Sequence, residues 1–148
     1  MIDHIWTVVC SQVIIDSEAH NLSLINVIEQ LNIKGLPVPG RSIPIHLELA
    51  SFWVREDAML PCNGNARFSF IAPSGKVMAQ IEPQIVDLTK VERLRSRMIL
   101  EALPLEENGR HLFIVELKTD DDKEWHQVSK VPLMIIFNPQ ELKQEEGG

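Results

Sequence analysis

Residues 108–137 limit the fold more than any other part of this chain. Two apolar runs, Leu112-Phe113-Ile114-Val115 and Val131-Pro132-Leu133-Met134-Ile135-Ile136-Phe137, lie either side of the polar Thr119-Asp120-Asp121-Asp122-Lys123. Short runs rich in β-branched and aromatic residues around a turn are the pattern of a β-hairpin. They are too short and too β-branched to favour helices. A lone hairpin is marginal in water, so this one needs further strands and a second layer to bury its apolar face.

The rest of the sequence supplies them. Residues 5–15 read as a first strand, 16–21 as a turn of side chains that bond their own backbone, and 22–28 as the return strand. Leu24, Ile28 and Leu31 also share helical spacing, so a short helix there is the alternative. Residues 34–43 are a loop, because Pro37 and Pro39 cannot donate to a ladder. Over residues 45–54 Ile45, Leu47 and Leu49 alternate with His46, Glu48 and Ala50 until Phe52-Trp53-Val54 breaks the period. That break implies a bulge, or a strand end covered on both faces. Residues 66–72 and 77–88 form a hairpin about Pro73-Ser74-Gly75, with Pro83 marking an edge or a break. Residues 93–103 follow, with Arg93, Arg95 and Arg97 on one face. About eight short strands with Gly- and Pro-containing turns predict an all-β fold, an antiparallel β-sandwich with at most one short helix. Residues 1–138 are expected to form one domain, and 139–148 a flexible acidic tail.

Composition narrows the partners. Hydrophobic residues make up 45 % of the 148, enough for a core without disulfides. The net charge of −7 disfavours nucleic acid and anionic membrane surfaces, whose binding needs concentrated Lys and Arg. The two cysteines are no disulfide framework: Cys10 sits in an apolar run, Cys62 in a Pro-Cys-Asn-Gly-Asn turn. Asp3 stands where a signal peptide carries positive charge, and no apolar run approaches the ~20 residues of a membrane helix. A cytoplasmic protein with reduced thiols is the expectation.

Cys10-Ser-Gln-Val-Ile-Ile-Asp16, followed by Asn21-Leu-Ser-Leu-Ile-Asn-Val-Ile28, resembles the opening of a family of small uncharacterised bacterial β-sandwich domains. Residues 109–117, a turn, and Val131-Pro132-Leu133-Met134-Ile135 are similar to that family's last hairpin. The resemblance covers most of the chain as a pattern of strands and turns. It implies the fold and carries no catalytic residue, cofactor or activity.

The sequence holds no nucleophile elbow, phosphate-binding glycine loop, dinucleotide fingerprint or zincin motif. Of the five histidines, His111 and His126 fall on the two strands of the last hairpin, where with Asp120, Asp121 or Asp122 they would make a mixed nitrogen and oxygen metal site. The competing reading is polar side chains on a wet face. The acidic run at the hairpin tip, with Glu18, Glu106 and Glu107 as the other loop acids, would suit calcium only if several loops converge. A solvated turn explains it as well. Arg93, Arg95 and Arg97 are either a salt-bridge ladder with Glu48, Glu82 or Asp87, or a docking face for an acidic partner. Trp53, with Phe52, forms either core or an apolar contact rim, as do Trp6 and Trp125. Taken together, the expectation is a non-enzymatic module without cofactor or metal. It would bind a protein partner or itself as a homodimer through Arg93, Arg95, Arg97 and Trp53. A small-ligand or carbohydrate-binding sandwich using loop aromatics is the alternative.

Overall fold

In a computed structural model, which describes residues 1–139, two sheets pack face to face. The strands are β1 (Ile2–Ile15), β2 (Leu22–Val27), β3 (Gln30–Lys34), β4 (Ser42–Arg55), β5 (Cys62–Ile71), β6 (Val77–Leu88), β7 (Arg93–Pro104), β8 (Gly109–Thr119) and β9 (His126–Asn138). One sheet has the order β2-β1-β4-β7 and the other β3-β9-β8-β5-β6. The all-β sandwich expected from the turn spacing is therefore present. The tail expected over 139–148 lies outside the described residues from Gln140 onward.

Alternating inward side chains fill the space between the sheets. Leu47, Leu49 and Trp53 of β4 meet Phe68 and Phe70 of β5, Phe113 and Val115 of β8, and Leu133 and Ile135 of β9, all essentially sealed from water. Burial of side chains this large contributes about 1.5–3 kcal/mol each. The aromatic residues do much of it in a chain with no Tyr.

Two departures from the sequence reading have local causes. The return strand expected over 22–28 is present as β2, the alternative of a helix over Leu24–Leu31 is not realised, and β3 is a further strand that was not anticipated. Leu31 and Ile33 alternate with Gln30, Asn32 and Lys34, a period of two too brief to separate from the helical spacing that overlaps it. The chain switches sheets at Ile28 and Glu29: Ile28 N–H donates to the Val9 carbonyl (2.8 Å), and Met134 N–H donates to the Glu29 carbonyl (2.9 Å). β3 then runs parallel to β9, so the sandwich is not wholly antiparallel. Elsewhere the punctuation behaves as expected. Gly75 takes φ 92 in the β5–β6 turn, and Pro83 lies on the edge strand β6, where Glu82 and Pro83 together oppose Arg67 in a bulge.

The broken period at Phe52 is explained by cover. β1 pairs with β4 only as far as Cys10, opposite Glu48; beyond it β1 pairs with β2 alone. This two-stranded arm lies over the outer face of β4. Cys10, Val13 and Ala50 form a second apolar cluster with Trp6, Leu22 and Leu24. Positions 47–51 of β4 are consequently buried on both faces.

Candidate functional site

Beneath the arm tip, between residues 19–22 and the outer face of β4 and β7, lies an open groove of about 470 Å³. Trp6 and Phe52 wall one part of it, with ring centroids 5.7 Å apart at 34°. Register places them opposite each other across the β1–β4 pair, directly after the β1 bulge at Ile5. Arg93 and Arg95 line the remainder, and none of the lining residues is acidic.

The three arginines expected to share a face do share one, yet the structure divides their duties. Arg97 Nε lies 3.2 Å from Glu48 Oε1. Glu48 is only 2 % exposed, and its other oxygen accepts Val13 N–H at 2.7 Å. Arg97 thus neutralises a buried carboxylate that holds the arm in place. Arg95 Nη2 donates to the His20 carbonyl at 2.7 Å, fastening the arm tip, where His20 adopts the left-handed backbone at φ 57. Arg93 is exposed, and no polar partner meets it among the described residues. Of the suggested ladder partners only Glu48 serves. Glu82 and Asp87 belong to β6 in the other sheet, and Asp87 instead accepts Thr89 N–H (2.9 Å) and Oγ1–H (2.5 Å), bonds that hold its carboxyl below the usual range.

Trp53 does not join the arginines. It is 0 % exposed, donates Nε1–H to Ser96 Oγ at 3.0 Å and meets the His4 ring edge-on at 5.0 Å. It is core and offers a partner no surface. Trp125 is half-buried, with the Arg67 guanidinium 4.4 Å from its ring centre and Glu116 3.0 Å from Arg67. Of the loop aromatics suggested for a sugar site, one is sealed in the core and the other has a cation over its ring.

The hairpin histidines are separated. His111 pairs with Leu133 and His126 with Leu117, six positions apart on β8, or about 20 Å at the strand rise. His111 is 0 % exposed, stacked on Phe70 at 5.1 Å, and donates Nδ1–H to the Gly109 carbonyl at 3.1 Å. Its buried Nε2 has no partner among the described residues, and burial pushes its pKa down. His126 Nε2 lies 3.5 Å from Asp122. Asp122 chiefly closes the turn by accepting Thr119 N–H (3.0 Å) and Oγ1–H (2.7 Å), which holds its carboxyl low. The loop acids do not converge on it. Glu106 accepts Gly40 N–H (2.7 Å) and pairs with Lys76 (3.0 Å), and Glu107 accepts from Ser74 (2.7 Å), all beyond the opposite end of β8. Among the described residues no three His, Cys, Asp or Glu side chains are grouped to hold a metal ion.

Sequence reasoning found the arginines but missed Trp6 and Phe52 as their companions and missed the arm. The available signal was the coincidence of a broken period at Phe52 with an apolar, alternating Leu22 and Leu24 that needed a surface to cover.

No family model matches the chain, and no curated protein matches it. Among solved structures, the C-terminal domain of wzt is similar over 90 % of this chain and 72 % of that one, at 10 % identity and a TM-score of 0.50. The Pseudomonas fluorescens alkylpurine DNA glycosylase AlkC, bound to DNA containing an abasic site analog, aligns over 91 % of this chain and 30 % of that one, at 8 % identity and a TM-score of 0.48. At 10 % identity the likeness to the wzt domain is one of fold alone. No helix among the described residues is long and apolar enough to cross a membrane.

Proposed function

We propose that the protein is a non-enzymatic interaction module of the cytoplasm that takes a protein partner in the groove under the arm tip. The observation that supports this is the union of an aromatic pair, Trp6 and Phe52, with Arg93 and Arg95 in one concavity. Aromatic residues and arginine are the types that carry most binding energy at interfaces, and a concave site desolvates them more fully than a flat sheet face. Self-association is a second form of the same reading. It is favoured by the edge position of β2 and by exposed Ile14, Ile25 and Val27 on the arm.

Phe52 replaced by the photo-reactive p-benzoylphenylalanine, compared with the same replacement at Leu112 on the other sheet, tests the reading in host cells. Irradiation is expected to give discrete protein adducts from position 52 and none from position 112. Adducts from neither position, or from 112 alone, would overturn it. An adduct of twice the chain's own mass would assign the partner to a second copy.

A further inference from the structure

We infer that the groove receives an extended acidic peptide segment, setting two alternate carboxylates on Arg93 and Arg95 and an apolar side chain on Trp6 and Phe52. This rests on the groove being the binding site, as proposed above.

The spacing carries the inference. Arg93 and Arg95 are two residues apart on one face of β7, so their backbone positions stand about 7 Å apart. An extended peptide has the same period, and its carboxylates at alternate positions match that separation. The third arginine of the row, Arg97, is already engaged by buried Glu48, so the row presents two cationic places and not three. The guanidinium of Arg95 is oriented by its bond to the His20 carbonyl, which leaves its other N–H groups fixed in a plane for a carboxylate fork. Arg93 is exposed and without a polar partner among the described residues. The Trp6–Phe52 wall stands beside Arg95, because Phe52 opposes Arg95 in the β4–β7 register and Trp6 opposes Phe52 across β1–β4, so it suits an apolar side chain that follows the second carboxylate and leans across toward β4. The groove lining has no acidic residue to repel such a ligand, although the chain as a whole carries −7. That overall charge opposes long polyanions, whose field extends beyond the groove, more than a short segment with two charges.

The blocked peptide acetyl-Gly-Glu-Ala-Glu-Ala-Phe-Gly-amide is the probe, titrated into the ¹⁵N-labelled full chain and followed by amide shifts. Adenosine monophosphate and 4-phenylbutyrate are titrated in parallel. The expected result is saturable shifts confined to residues 6, 19–22, 52 and 93–95. Exchange of both Glu for Gln in the peptide is expected to weaken binding about tenfold or more, and Arg93→Gln in the protein to weaken it about tenfold, the cost of a charge-assisted bond. Arg110→Gln on the other sheet is expected to leave affinity unchanged. Equal binding of the Glu and Gln peptides would overturn the inference. Groove shifts with adenosine monophosphate or phenylbutyrate but not with the peptide would also overturn it, while leaving the groove a binding site. No groove shifts with any probe would remove both readings. Arg93 contacts nothing structural, so its variant is expected to melt with the wild type.

Discussion

Glu48 is a carboxylate at 2 % exposure, and burial on that scale is tolerated only when both oxygens are engaged, here by Arg97 and by Val13 N–H. Breaking the pair from either side is not symmetrical. Glu48→Ala strands a backbone donor and frees Arg97, which is half-exposed and recovers water. Arg97→Ala leaves a charge in the interior. Arg97→Ala is therefore expected to cost about 2–4 kcal/mol in urea unfolding and Glu48→Ala somewhat less, about 1–3 kcal/mol. Equal small effects would show that the pair is not what holds the arm. His111 presents the pH-dependent counterpart. Burial lowers its pKa, so the folded state disfavours the imidazolium that the unfolded chain readily forms. Its contribution is complete above the unfolded value near 6.5 and is lost as pH falls from there through the lowered folded value. His4 is shifted the same way by burial. Melting temperature is expected to decline from pH 7.5 to pH 5, and His111→Phe, which keeps the stack on Phe70, to make that decline shallower. An unchanged pH slope would assign the effect elsewhere.

The arm is the element whose behaviour most affects the proposed site. It hides Cys10 beneath Leu22 and Leu24, whereas Cys62 is half-buried in β5 near the Met1 carbonyl. Burial, then the nearby Glu48 charge, raise the Cys10 thiol, so it reacts only when the arm lifts. Labelling with a disulfide reagent is expected to modify Cys62 first and Cys10 slowly. Arg95→Ala, which unfastens the tip from His20, is expected to speed Cys10 alone by about 10–150-fold, the equivalent of a lost hydrogen bond to a charged group. Acceleration at both thiols would mean global loosening instead. The same element marks how far the sequence could be read. Strands such as β6 and β8 were legible because apolar residues alternate between clear turn residues, and the Arg93, Arg95 and Arg97 stripe followed from that period alone. The arm was not legible, because leaving β4 after Cys10 is a fact of pairing, and pairing partners are not encoded by period. β3 was lost for a related reason: five residues satisfy a strand and a helix equally until β9 is there to pair with them. Trp53 failed as a surface residue because period two places it, like Leu47 and Leu49, on the face that β4 turns to the core.

At the scale of the whole molecule, the order of strands ties the two sheets together. The chain passes from one sheet to the other five times, at β2–β3, β3–β4, β4–β5, β6–β7 and β7–β8. Neither sheet can be completed from one continuous stretch of sequence. β1 must find β4, β4 must find β7, and β3 must find β9 across most of the chain. Two consequences follow for folding. Loop-closure entropy is spent before these pairings are rewarded, so refolding is expected on the ms to s scale typical of β-sandwiches, roughly 10³-fold slower than a helical bundle of similar stability. Sheets so interlaced also cannot melt separately. Trp53 in the core, Trp6 under the arm and Trp125 on the far sheet sample three regions. Their summed fluorescence is expected to follow one urea transition coincident with far-ultraviolet circular dichroism. Separated midpoints would show that the four-stranded sheet with its arm holds together independently of the five-stranded one, and that the groove can be lost while the main core persists.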